Sequence, residues 1–257
     1  MIKIAFFDVD GTLLKIGSKA PSKLTIETLQ KLQENGVLIC MATGRGYPSV
    51  PHFEGITFDV LLTFNGSYVR NAEEVIFKNP LKEEEKMRII ENLKGMNRAI
   101  AISDEKMIVT NGTDEILQQY FDFGNVEMII SEDFDELCRG DIYQIMCACR
   151  KEEYDRILDG TVETQITAWW EEAGDIIPIT CGKGNAVKAV LEFYGLTREE
   201  AIAFGDGRND VEMLEAVGTG VAMANAKEDV KAYADEICGS VEDDGVYHYC
   251  LEHQLIS

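Results

Sequence analysis

Two short acidic clusters, far apart in the chain, hold closely spaced carboxylates of the kind that bind a metal ion: Phe7-Asp8-Val9-Asp10-Gly11-Thr12 and Gly205-Asp206-Gly207-Arg208-Asn209-Asp210. Asp8 and Asp10 stand two residues apart where an apolar run, Ile2 to Phe7, gives way to a loop. Both carboxylates can therefore address the same space beyond a sheet edge. Gly11 permits a sharp turn there, and Thr12 offers a hydroxyl for a local hydrogen bond. An ordinary Asp-Gly turn has the same composition. A calcium loop also begins Asp-x-Asp, but its glycine position falls on Leu13 and its closing glutamate on Lys19. Taken alone, the second cluster reads as an acidic turn with a helix cap. Beside Asp8 and Asp10, one or both of its carboxylates complete an oxygen-rich site suited to Mg2+, which prefers carboxylate, carbonyl and water ligands.

Two further segments supply groups for an anion. Thr43-Gly44-Arg45 follows a buried run and offers a hydroxyl and backbone N–H groups near a helix start, although a plain helix cap reads equally well. Lys183, between Gly182 and Gly184 at another helix start, can set an ammonium over a phosphate. The phosphate loop of nucleotide hydrolases requires Ser or Thr after its Lys, and Gly184 stands there instead.

The elements that must position these groups alternate. Ile2 to Phe7, Val37 to Ala42 and Val60 to Phe64 read as buried strands, each ending in a polar turn. Between the first two, Ser22 opens a helical pattern with Ile26, Leu29 and Leu32 on one face, and Asn35-Gly36 closes it. Strand, helix and strand at this spacing predict a doubly wound parallel α/β sheet with helical crossovers. From about Lys82 the texture changes to an amphipathic helix (82–96) and strand-like runs at 99–103, 107–110, 142–148 and 164–169. That stretch reads as an inserted α+β unit. After Lys183 the α/β rhythm returns, so the expected division is a core of 1–81 and 183–257 with an insertion of 82–182.

The formal net charge of −22 works against binding to nucleic acid or anionic membranes. The insertion alone carries 10 basic and 23 acidic residues, so a phosphate near it must be held by a metal and a few placed cations rather than by bulk charge. Apolar stretches are strand-sized, well short of the roughly 20 residues that span a bilayer. No secretory signal is expected, because Met1 to Phe7 passes straight into Asp8. Seven scattered cysteines suit free thiols in a reducing, cytoplasmic setting. Cys147 and Cys149 read as core thiols on one strand face, and His52, His248 and His253 match no metal-ligand spacing.

In this order and spacing, the four segments resemble the four motifs of the haloacid dehalogenase-like superfamily. Gly205 to Asp210 with Met213-Leu214 is similar to its Cof-type phosphatases, and an insertion between the second and third motifs resembles a type IIB cap. The resemblance implies that Asp8 is a nucleophile forming an aspartyl-phosphate and that Asp10 is the general acid and base. It implies Mg2+ held by Asp8, the Asp10 carbonyl and Asp206, with Asp210 acting through water or as a supporting partner. It further implies that Thr43, Gly44, Val9, Lys183 and Asn209 bind phosphoryl oxygens, while Arg45 supports its loop or pairs with Asp210. The implied substrate is a small phosphorylated metabolite such as a sugar phosphate, and cap closure would exclude water. Asn65-Gly66 resembles a position facing the cap, yet a hairpin turn accounts for it as well. Trp169 and Trp170 suit either core packing or a specificity pocket. Two rivals share parts of this pattern: a phosphomutase on the same scaffold, and a phospho-acceptor module without turnover, against which Asp10 argues.

Overall fold

The computed structural model describes residues 1–124 and 126–257, and for Trp169 the backbone only. The chain runs β1 (Ile4–Phe7), α1 (Lys23–Glu34), β2 (Leu38–Ala42), β3 (Val60–Thr63), β4 (Tyr68–Asn71) and β5 (Val75–Lys78). There follow α2 (Glu83–Gly95), β6 (Ile100–Ser103), β7 (Ile108–Thr110), α3 (Glu115–Gly124), α4 (Phe134–Leu137), β8 (Gln144–Ala148), α5 (Tyr154–Ile157), β9 (Thr164–Trp170) and β10 (Ala173–Pro178). The last stretch comprises α6 (Lys183–Tyr194), β11 (Ala201–Gly205), α7 (Val211–Ala216), β12 (Thr219–Ala222), α8 (Glu228–Lys231), β13 (Glu236–Ile237) and α9 (Gly245–Glu252). Two compact units result. One comprises Met1–Gly44, Val50–Lys78 and Gly182–Ser257, and the other Arg45–Ser49 and Asn79–Cys181.

The first unit is built on an eight-stranded sheet of order β13-β12-β11-β1-β2-β3-β4-β5. From β13 through β3 all neighbours are parallel. Parallel neighbours require crossovers that cover both faces, which is why Ile4-Ala5-Phe6-Phe7 is apolar throughout rather than alternating. Ala5 and Phe7 join the apolar cluster beneath α1 and α9, while Ile4 and Phe6 join the one beneath α6 and α7. The sheet departs from a wholly parallel one at β4 and β5, which pair antiparallel. The turn at Phe64-Asn65-Gly66 is too short for a crossover, so the chain folds back as a hairpin. In α1, the Ser22 side chain accepts from the Thr25 N–H at 2.9 Å, and past the C-cap Asn35 the chain leaves the helix through Gly36 at φ 76°.

The second unit holds a five-stranded sheet of order β7-β6-β8-β10-β9, antiparallel throughout. One face packs Ile102, Ile145, Cys147 and Ile176 under α2, and the other packs Ala101 and Met146 under Leu117 and Phe121 of α3. Beneath α3, the Tyr120 hydroxyl donates to the buried Asp175 carboxylate at 2.6 Å. Trp170 is half-buried and meets Phe123 edge to face at 5.1 Å, whereas the Trp169 side chain lies outside the described residues. Cys147 and Cys149 are buried as core thiols, and all seven cysteines are free. Among the described residues, no helix is long and apolar enough to cross a membrane.

Candidate active site

The side-chain phase of β1 decides where Asp8 points. Asp8 continues the parity of Ile4 and Phe6, so its carboxylate emerges on the α6 side of the sheet, whereas Val9 stays with the opposite apolar cluster. There Lys183, the first residue of α6, bridges two acids: its Nζ donates to Asp8 Oδ1 at 2.6 Å and to Asp210 Oδ1 at 2.5 Å. Lys183 is fully buried, as is Asp210, and Asp8 is 7% exposed. Of the flanking glycines, Gly184 is a packing requirement. A Cβ on Gly184 would fall 2.5 Å from the Glu212 carbonyl oxygen of α7, too close for a side chain.

Asp210 uses both carboxylate oxygens. Oδ2 accepts from the N–H groups of Asp206 and Gly207 at 3.0 and 2.8 Å, folding the turn after β11 back on itself. Asp206 thereby faces Asp8, and one oxygen from each of Asp8, Asp206 and Asp210 lies within 4.8 Å of the others. Burial, then the negative charge of Asp210, pushes the Asp8 carboxyl up to about 8 against the opposing pull of Lys183. The same two causes push Asp206 up to about 6. Burial works against the Lys183 ammonium, but the charges of Asp210 and Asp8 outweigh it and hold its pKa above the ordinary value. Three carboxylates around one ammonium leave negative charge uncompensated. The donors are all carboxylate oxygens, with no His or Cys in the cluster among the described residues, which fits a hard divalent cation such as Mg2+.

Gly11 makes this convergence possible. It turns at φ 96°, and a Cβ there would sit 2.2 Å from Asp206 Oδ2. Thr12 differs from expectation: its hydroxyl is buried without a hydrogen-bond partner among the described residues. Backbone bonds hold the turn instead, from Gly11 N–H to the Leu14 carbonyl at 2.7 Å and from Leu13 and Leu14 to the Val9 carbonyl at 3.0 and 2.8 Å. Asp10 is exposed and lies outside the three-carboxylate cluster, yet close enough for its charge to help raise Asp206.

The remaining predicted residues gather at neighbouring strand ends. Thr43, just past β2, is 1% exposed, and its carbonyl accepts from the Asn65 N–H at 3.0 Å. Gly44 packs so closely that a Cβ would be 3.1 Å from Asn65 Oδ1. Asn209 is exposed and donates its amide to Asn65 Oδ1 at 3.0 Å. Phe64 and Asn65 both adopt φ 52°, a left-handed conformation uncommon for non-glycine residues and concentrated at functional sites. Arg45 follows directly in the chain and groups with the second unit. The histidines stand apart from the cluster: His253 stacks on Tyr249 at 4.0 Å, His248 packs on Tyr247, and His52 is exposed.

Asn225 escaped the sequence reading. It lies just past β12 and donates its Nδ2 to the Gly11 carbonyl at 2.9 Å and to Asp206 Oδ2 at 3.0 Å. A signal was available. Asp8, Thr43, Asp206 and Asn225 each follow the C-terminal end of a parallel strand, the edge at which open α/β sheets bind ligands.

The chain is similar to known proteins over its whole length. YkrA of Bacillus subtilis (strain 168) is 30% identical across 99% of this chain and 98% of its own. An HMP-PP phosphatase of Enterobacter sp. (strain 638) is 26% identical across 99% and 96%. Among solved structures, the HAD subclass IIB sugar phosphatase BT4131 superposes with a TM-score of 0.86 at 28% identity, covering 99% of this chain and 100% of that one. The expected resemblance to Cof-type members with a type IIB cap, and the expected fold class, are borne out by these relatives. The family model for haloacid dehalogenase-like hydrolases matches residues 5–250, the span that contains every acidic, amide and lysine group of the site, and the chain belongs to that family.

Proposed function

We propose that this protein is a Mg2+-dependent phosphatase that hydrolyses small phosphomonoesters through an aspartyl-phosphate on Asp8. The observation that carries the proposal is the convergence of Asp8, Lys183, Asp206 and Asp210 at one sheet edge. Asp8 attacks phosphorus, and the leaving alkoxide takes a proton from Asp10. In the second step Asp10 accepts a proton from water, which attacks the aspartyl-phosphate and returns Asp8 with release of inorganic phosphate. Lys183 has three donors and directs two at carboxylates, so one remains for a phosphoryl oxygen. Thr43, the N–H groups of Gly44 and Val9, and the second amide hydrogen of Asn209 complete the proposed cradle. Asp8, the Asp10 carbonyl and Asp206 would hold Mg2+, with Asp210 supporting them. When bound, the cation offsets repulsion between the anionic nucleophile and the phosphate.

The named relatives support a sugar phosphate or similar small metabolite as substrate. The acidic surface supports a site that does not serve nucleic acid or membranes, and the buried free thiols support a cytoplasmic location. Phosphate release from a panel of alkyl phosphomonoesters, with Mg2+ and with chelator, tests the proposal. Free phosphate also distinguishes hydrolysis from return of the phosphoryl group to a second hydroxyl. Asp8→Asn should abolish turnover, and Asp10→Asn should slow an alkyl substrate roughly 10²–10⁴-fold. Unchanged turnover in either variant refutes the mechanism.

A further inference from the structure

We infer that Asn225 is a positioning residue for the divalent cation, holding Asp206 and the Gly11 turn in their metal-ready arrangement. The inference rests on the proposed metal site and extends it to a group that touches neither the cation nor the substrate. Asn225 has every polar atom of its amide committed. Nδ2 donates to Asp206 Oδ2 at 3.0 Å and to the Gly11 carbonyl at 2.9 Å, while Oδ1 accepts from the Val241 N–H at 3.0 Å. This pattern settles the amide orientation, because the flipped form would set an oxygen against two acceptors and an NH2 group against a donor.

The consequence is geometric. Asp206 is wedged against Gly11, where no Cβ intervenes, and the Asn225 amide ties its Oδ2 to the main chain of that same turn. The turn carries Asp8 and Asp10 on one side, and Asp206 comes from the distant β11 end. One side chain thus spans the two halves of the site, and Val241 anchors it from the C-terminal segment. Partners of this kind orient ligating carboxylates, and their loss typically lowers metal affinity about 10–100-fold. Asn225 is itself an exposed residue, so truncation exposes the Val241 N–H and Gly11 carbonyl to water rather than burying them unsatisfied.

The test uses the full chain and measures metal binding directly: Mn2+ binding by electron paramagnetic resonance and Mg2+ binding by calorimetry, with thermal unfolding in chelator alongside. Asn225→Ala should weaken both cations at least about tenfold. Its metal-free midpoint should move by less than about 4 °C, the equivalent of roughly 1 kcal/mol. The Mg2+ concentration that half-activates phosphate release should rise by the same factor as the binding constant. Asp206→Asn is the reference and should abolish binding. If Asp206→Asn abolishes binding while Asn225→Ala binds as the parent does, the role given to Asn225 is wrong and the metal site stands. A metal-free midpoint that falls well beyond 4 °C in Asn225→Ala also overturns the inference, because the residue is then structural. If Asp206→Asn binds as the parent does, both the metal site and the inference fall.

Discussion

Replacing Asp210 with Asn changes one oxygen to NH2 and should be among the most damaging isosteric substitutions available to this chain. Asp210 accepts three hydrogen bonds on two oxygens: one from Lys183, and two from the Asp206 and Gly207 N–H groups. Asn offers a single acceptor. If its oxygen faces the backbone, its NH2 points at a buried ammonium; if it faces Lys183, the NH2 points at two N–H donors. Neither orientation satisfies the site, and Asp210 has no exposure through which water could repair it. Breaking a buried ion pair by changing one partner costs about 3–5 kcal/mol. Lys183 keeps Asp8 as a second partner, which favours the lower end, about 3 kcal/mol. For a chain of this size that corresponds to a fall in thermal midpoint of about 6–12 °C. The assay is circular dichroism melting in chelator, so that lost metal binding does not contribute. Asp206→Asn is the control, since Asp206 is only partly buried and its side chain accepts from the Asn225 amide. It should melt within about 4 °C of the parent. The reasoning is refuted if Asp210→Asn melts within about 2 °C of the parent, or if both variants fall equally.

Two further outcomes follow from single positions. Gly11→Ala combines a φ of 96° with a Cβ placed 2.2 Å from Asp206 Oδ2, so metal affinity and phosphate release should both drop by more than about tenfold, measured by Mg2+ titration. Asp175 sits in the second unit, where burial pushes its carboxyl from 3.8 up to about 6 against the lowering effect of hydrogen bonds from Tyr120 and Gln144. Because the folded value is raised, its stabilising contribution is complete below about pH 4 and is lost as pH rises through about 6. Asp175→Asn carries no charge to desolvate, so its stability relative to the parent should increase by about 2–3 kcal/mol between pH 4 and pH 8. Denaturation midpoints across that range check this, and a pH-independent difference contradicts it.

Much of the scaffold was legible in the chain itself. Apolar runs ending at Asp8, Thr43 and Asp206 marked parallel strands and their functional ends, and Ser22 with Asn35-Gly36 bounded α1, because caps and strand periodicity are encoded within a few neighbouring residues. Each acidic cluster alone also read as an ordinary turn, and it was their pairing in one chain that pointed to the convergence of Asp8, Asp206 and Asp210. Tertiary structure decided what those groups touch. That Lys183 spans Asp8 and Asp210 depends on α6 crossing the face to which Ile4, Phe6 and Asp8 point. The hairpin from β3 into β4 was one of the two readings that Asn65-Gly66 allowed, whereas the left-handed conformation of Phe64, which no local rule requires, is a property of the folded chain. Asn225 is the plainest case. Its amide is separated from Gly11 by more than two hundred positions, and only the order of strands in the sheet, a property of the whole packed core, brings the two within hydrogen-bond reach.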